Sequence, residues 1–281
     1  MSIEDIILSN DTRGVSRLRR KLPLDFCKQA ADYVRESRGP VLIITGFYVG
    51  TSYETDGPIG AVAIGRALKS LRRRVYYVVD GCADMMRELA KVPDEQVIEF
   101  PVAGHKDSRA FAEKVLTDVK PGLAVSIERC GMTEEKKYLN MRGKDISSHT
   151  AKIDYLFQRV DRTVGIGDGG NEIGMGLLYD EIPKISTLVE SPAITPAEHL
   201  IIASVSNWGG YGLVGYLSIL SGRNLLLSAN EDKKLIKKWV DMGGVDGVSG
   251  EQTYTVDNTT PEQNSDILAR IHQEIAAAGV K

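Results

Sequence analysis

Apolar residues recur at spacings of three and four through the first forty positions, at Val15, Leu18 and Leu22 and then at Phe26, Ala30 and Val34. This predicts helix up to the stop at Gly39-Pro40. The pattern then changes to a continuous apolar run over residues 41–45, of the kind found in strands covered on both faces. After a loop over 46–57, Pro58 can take the first position of a helix that continues over 59–71. Further strands are predicted at 74–79, 97–100, 123–127 and 162–166, with helices at 107–119 and 151–160. Strands alternating with helices imply an α/β fold, a mostly parallel sheet flanked by helices on both faces.

Beyond Gly174 the pattern is less regular. Thr195-Pro196-Ala197-Glu198 has the form of a capping box with proline at the first position, which predicts a helix there. Glycines over 207–215 interrupt an apolar stretch, and helices are predicted at 231–240 and 261–278. With no repeat and no linker, the expectation is a single α/β domain over 1–281, with residues 1–40 as a helical segment packed on it.

A parallel sheet gathers ligands beyond the carboxyl ends of its strands. Glu54 and Asp56 follow the first predicted strand, Asp80 the second, Glu128 the strand at 123–127 and Asp168 the strand at 162–166. Five carboxylates thus fall on one edge, and like charges brought together need a cation or shared protons. Oxygen donors suit Mn²⁺ or Mg²⁺, whereas the four histidines form no close pair that would favour zinc. Asp80 directly follows a strand, where an Asp often only shapes a turn, and it stays outside the core set. Asp56 could instead cap the helix opened by Pro58.

Residues 163–176 hold six glycines in fourteen positions, with Asp168, Asn171 and Glu172 among them. Such a loop can present main-chain N–H groups, including those of Gly169 and Gly170, to an anion, or can be no more than a tight turn capped by Asp168. Arg142 and Lys144 lie in a segment without apolar periodicity and could hold a substrate carboxylate or phosphate, or be solvated loop charges. Asn207, Trp208 and Tyr211 could line the pocket. Cys130, with no histidine near it in sequence, reads as a packing residue.

Composition narrows the setting. With 35 Lys and Arg against 38 Asp and Glu, the net charge of −3 gives no general attraction to nucleic acid or anionic membranes. The basic runs at 17–21 and 72–74 read as solvated surface. Three widely spaced cysteines argue against a disulfide framework, and there is no leader-like start or apolar run of membrane-spanning length. A cytoplasmic protein acting on a small anionic substrate is expected; assembly as a homo-oligomer is compatible with the sequence.

The stretches Thr45-Gly46-Phe47, Glu54-Thr55-Asp56-Gly57-Pro58, Ile127-Glu128-Arg129 with Gly131, Asn140-Met141-Arg142-Gly143-Lys144-Asp145, residues 165–176 and Ser206-Asn207-Trp208 resemble the D-glutamate cyclase-like domain family, which also occurs as a stand-alone prokaryotic protein. The resemblance implies a lyase that converts D-glutamate to 5-oxo-D-proline. The acidic strand ends and the glycine-rich loop place the expected catalytic residues among Glu54, Asp56, Glu128, Asp168 and Glu172, and the expected metal among Asp56, Glu128, Asp168, Asn171 and Glu172. Candidate substrate contacts are Arg129, Asn140, Arg142, Lys144, Gly169, Gly170, Asn171 and Asn207. Two departures stand out: the N-terminal region of longer members is absent, and Cys130 stands where proline is expected. The same acidic set also suits a metal-dependent phosphatase, or a sensor that binds a metal or metabolite without turnover. A dinucleotide-binding enzyme is disfavoured, because Thr-Gly-Phe-Tyr rather than a glycine fingerprint follows the first strand.

Overall fold

The structure, a computed structural model, describes residues 1–280. Among these, six strands form one all-parallel sheet: β1 (Val41–Ile44), β4 (Val75–Val79), β5 (Val97–Glu99), β6 (Leu123–Ile127), β7 (Thr163–Gly167) and β8 (His199–Ile202). Their order is β5-β4-β1-β6-β7-β8, so the chain builds outward from β1 on one side and then returns to build outward from β6 on the other. This doubly wound order places the switch point between β1 and β6, where α/β proteins form their ligand crevice. A two-stranded hairpin, β2 (Tyr48–Val49) with β3 (Ser52–Tyr53), stands above that point.

The continuous apolar runs read as buried strands for a clear reason. Val41 and Ile43 of β1 enter one core layer while Leu42 and Ile44 enter the layer on the opposite face, and all four are fully buried. The first layer includes α1 (Ile3–Ile7), α2 (Phe26–Glu36), α3 (Pro58–Ser70), α4 (Ala83–Ala90), α7 (Ser206–Ser221), α8 (Ala229–Asp241) and α9 (Pro261–Ala277). The second is built on α5 (His105–Val119) and the short α6 (Asp154–Phe157). No helix among the described residues is long and apolar enough to cross a membrane.

Two expectations fail, and both failures have local causes. Thr195 opens no helix. Its hydroxyl donates to Asp154 Oδ1 at 2.6 Å, Glu198 accepts from the Thr163 N–H, and the chain enters β8. A capping box is worth about 1 kcal/mol, less than burying Leu200, Ile201 and Ile202 beside β7 at about 1.5–3 kcal/mol per apolar side chain.

The glycine-rich stretch at 207–215 is helix, part of α7. A helix buried on nearly every side shows no polar face to betray its period. Its glycines allow close approach: a Cβ on Gly210 would lie 3.2 Å from the Gly60 Cα of α3. The helix predicted at 151–160 shrinks to α6, and the first forty residues divide into α1, a 3-10 turn over Val15–Lys21, and α2.

Candidate active site

Beyond the switch point, Glu54, Asp56, Glu128, Asp168 and Glu172 come together, each 6% exposed or less. Carboxylate oxygens of Asp56, Asp168 and Asp257 lie within 4.8 Å of one another, as do those of Glu128, Asp168 and Glu172. Asp168 belongs to both groups.

Asp56 does not cap α3. Its Oδ2 accepts the Ser206 N–H at 2.8 Å and its Oδ1 the Asn207 N–H at 2.7 Å, so it caps α7, while Asn207 Oδ1 accepts the N–H groups of Gly57 (3.0 Å) and Gly60 (2.7 Å) at the start of α3. Each helix therefore supplies the other's cap. Gly57 makes this crossing feasible, since its φ is +94° and a Cβ would sit 2.7 Å from Thr45 Oγ1 and 2.8 Å from Glu128 Cβ.

Glu128 itself has a left-handed φ of +42°, a conformation that costs free energy outside glycine and concentrates at functional sites. Its Oε2 accepts the Ser206 hydroxyl at 2.6 Å. Glu172 folds back so that Oε1 accepts the N–H of Gly169 at 2.7 Å and of Asp168 at 3.2 Å, and Oε2 that of Gly170 at 2.7 Å.

The electrostatics follow from burial. Desolvation first, then the charge of Asp257, pushes the Asp56 carboxyl up to about 8 despite two main-chain donors and Arg13. Burial likewise drives Glu54, Glu128 and Asp168 well above the ordinary carboxylate range, reinforced by Asp257 for Glu54 and by Asp168 for Glu128, and opposed by Arg13 at Asp168. Three buried acceptors in and beside the cluster, Glu54 Oε1, Asp168 Oδ2 and Asn171 Oδ1, have no hydrogen-bond partner.

A cavity of about 630 Å³ opens over the cluster, with Glu54, Glu128, Arg13 and Asp257 in its lining. Phe47, Met141, Ile146 and Val248 supply apolar wall. Arg142 and Lys144 are exposed at its rim, Arg142 donating to the Val248 carbonyl at 3.1 Å. Asn140 is in the wall, with Oδ1 accepting from the N–H groups of Arg142 and Lys144, which shapes the loop carrying those cations. The volume suits a small metabolite.

Several candidates are corrected by their surroundings. Arg129 is 1% exposed and spends its guanidinium on Asp80, with two contacts of 2.6 Å, and on the carbonyls of Gly46 and Ala151, so it is a strut of the frame rather than a substrate contact. Asp80 is thereby neutralised away from the cluster. The N–H groups of Gly169 and Gly170 are taken by Glu172 and cannot also meet a substrate anion. Asn207 is a cap. Trp208 donates to Asn264 Oδ1 at 2.7 Å and Tyr211 to Asp232, both in the core.

Asn171 Nδ2 donates to the Leu139 carbonyl, leaving only its Oδ1 for the site. Cys130 is buried, and all three cysteines are free. Its pairing with Glu172 uses the N–H groups of Gly131 and Ile173, so a proline at 130 would cost this bridge no hydrogen bond.

Sequence reasoning missed Arg13 and Asp257. Arg13 donates from Nη1 to Asp168 Oδ1 at 2.5 Å and from Nη2 to Asp257 Oδ2. Neither lies at a strand end. The only local signals were turn-like, Asp11-Thr12-Arg13-Gly14 and Asp257-Asn258, the latter pair both left-handed.

A doubly wound sheet that carries acids at its switch point is an α/β architecture for binding or transforming a small ligand, and the sequence resolves the class further. Residues 3–272 match the family described as D-glutamate cyclase-like, C-terminal, and the chain belongs to that family. It is 33% identical over 229 aligned residues to the human protein named D-glutamate cyclase, mitochondrial, an alignment covering 74% of this chain and 36% of that protein. The chain thus corresponds to about a third of that relative's length. Among solved structures, an exopolyphosphatase-related protein from Bacteroides fragilis aligns with 92% of this chain and 58% of its own, at 10% identity and a TM-score of 0.45, too slight a likeness to bear on activity.

Proposed function

We propose that the chain is a divalent-cation-dependent lyase of the D-glutamate cyclase type, closing D-glutamate to 5-oxo-D-proline with loss of water. Family membership supports the reaction. One observation supports the cation: the buried acceptors Asp168 Oδ2, Asn171 Oδ1 and Glu54 Oε1 have no donor, a burial that costs about 1–3 kcal/mol per group unless something positive compensates. The donor set fits a hard ion. The two groups of converging carboxylates contain neither His nor Cys, which favours Mg²⁺ or Mn²⁺ over zinc. Asp56, Asp168 and Asp257 would hold such an ion, with Glu128, Glu172 and Asn171 beside them. Bound there, it supplies Lewis acidity that makes a carboxyl carbon electrophilic.

The chain's own groups do the rest. Glu54 faces the cavity, and the burial that raises its carboxyl makes its ionised form basic enough to take a proton from the substrate ammonium. The freed nitrogen attacks the side-chain carboxyl carbon, a C–N bond forms and a C–O bond breaks. Two protons leave nitrogen and two reach the departing oxygen, which exits as water. Glu128, whose carboxyl is also pushed up by burial, can carry a proton on that route. Arg142 and Lys144 at the rim hold the α-carboxylate, and the apolar wall limits competing water.

The test is incubation of purified protein with Mn²⁺ and D-glutamate, with 5-oxoproline quantified by chromatography against a no-enzyme control. Product formation lost on chelation is expected. No product above the control refutes the cyclase. Chelator-sensitive phosphate release from an aryl phosphate, without oxoproline, would move the same acids to phosphomonoester hydrolysis.

A further inference from the structure

Arg13 reaches the acidic cluster from outside the sheet, and its backbone is fixed there. Asp11 accepts the N–H groups of Arg13 (3.0 Å), Gly14 (2.7 Å) and Ser16 (2.8 Å), and the Thr187 hydroxyl donates to the Arg13 carbonyl. The guanidinium, with its side chain 18% exposed, bridges Asp168 and Asp257 by one oxygen each.

Each carboxylate therefore keeps its other oxygen. Asp168 Oδ2 is buried without a partner. Asp257 Oδ1 lies beside Glu54, since a Cβ on Gly247 would sit 2.6 Å from it and 2.3 Å from Glu54 Oε2. Asp168 and Asp257 are also two of the three residues, with Asp56, whose oxygens converge within 4.8 Å.

Charge also leaves room for a cation. Asp168, Asp257, Glu128 and Asp56 all lie close enough for their charge to act on this guanidinium, more acids than one cation balances, so Arg13 and a divalent ion can be accommodated together. A planar fork that takes one oxygen from each of two carboxylates fixes how both are turned; an ammonium can touch both but, as a point charge with rotatable donors, imposes no such geometry.

We propose that Arg13 is a positioning residue that turns the free oxygens of Asp168 and Asp257 towards one divalent cation shared with Asp56. This rests on the metal reading given above. Partners that orient ligating side chains are worth about 10–100-fold in metal affinity.

The experiment is calorimetric titration of Mn²⁺ into the whole chain and its Arg13→Gln and Arg13→Lys variants, with melting curves recorded without metal. Arg13→Gln is expected to bind Mn²⁺ about 10–100-fold more weakly. Arg13→Lys should fall between it and the parent protein, because charge returns without the fork. Affinity unchanged or increased in Arg13→Gln overturns the proposal and makes the guanidinium a competitor of the ion. Should Arg13→Gln fail to fold, Arg13→Lys decides: affinity equal to or above the parent's overturns the role of the fork. A parent protein that binds no Mn²⁺ overturns the metal reading itself, and this inference with it.

Discussion

Replacing Asp80 by Asn keeps the size of a side chain that is 0% exposed and removes the charge that neutralises Arg129, itself 1% exposed. The carboxylate accepts from Nη1 and Nη2 of Arg129 and from the Ala151 N–H, all at 2.6 Å. In the variant the guanidinium retains the carbonyls of Gly46 and Ala151 at 2.8 Å and one neutral amide oxygen, while the amide nitrogen, itself a donor, faces it in place of the second carboxylate oxygen. A buried charge stripped of its partner costs about 3–5 kcal/mol. At about 2–4 °C per kcal/mol for a chain approaching this size, melting should fall by about 6–20 °C.

Arg129→Met should cost a similar amount, because it strands the carboxylate instead. The double variant Asp80→Asn/Arg129→Met removes both charges and loses mainly the hydrogen bonds to residues 46 and 151. Its loss should therefore stay within about 2 kcal/mol of either single change rather than reach the sum of about 6–10 kcal/mol. Urea and thermal melts of the four proteins measure this directly. Additive losses, or a loss below about 1 kcal/mol for Asp80→Asn, would refute a charge pair acting as a strut. A strut also predicts that Mn²⁺ affinity in the folded Asp80→Asn variant stays within about threefold of the parent, because neither residue faces the cavity.

Three further outcomes follow. Burial lifts the Asp232 carboxyl from 3.8 to about 6, with the Tyr211 hydroxyl opposing the rise, so the folded chain holds a proton that the unfolded chain releases; the stability this contributes is full below pH 4 and is lost as pH rises through 6, about 3 kcal/mol in all, and Asp232→Asn should flatten that part of a stability curve measured from pH 4 to 7. Mn²⁺ at a hundredfold excess over its dissociation constant should stabilise the protein by about 2.7 kcal/mol, read as a rise of about 5–10 °C in melting temperature, and Asp168→Ala should abolish the rise; an equal rise in that variant would place the ion elsewhere. Asn207→Ala strips the acceptor from the buried Gly60 N–H, while the Gly57 N–H keeps Asp56 Oδ1, which should cost about 1–3 kcal/mol in denaturant melts; a neutral result would deny the cap.

The sheet was legible because strands covered on both faces, such as β1, carry no polar residue to blur their run, and because a parallel arrangement sends its acidic strand ends to one edge. Sequence set Asp80 apart from Asp168 only as a common turn former. Both directly follow strands and both meet a guanidinium, but Asp80 gives both oxygens to Arg129, whereas Asp168 keeps Oδ2 unpartnered beside other acids. Arg13 and Asp257 were out of reach, since they come from turns before the first strand and after the last one. Thr195 misled for the opposite reason: its local pattern is genuine, but β8 offers a larger burial.

The crossed capping of α3 and α7 puts Asp56 under two obligations. It must stay ionised or hydrogen-bonded to hold the first turn of α7, and it must also present itself to the acidic cluster. A variant that preserves only one of these duties is already defective, so a saturation library at this position should yield almost no functional clones. Neighbouring Glu54, which holds no helix, should tolerate folding-neutral replacements that inactivate without unfolding. The chemistry of this site is thus tied to the seat of its central helix pair, and drift in one cannot proceed without drift in the other.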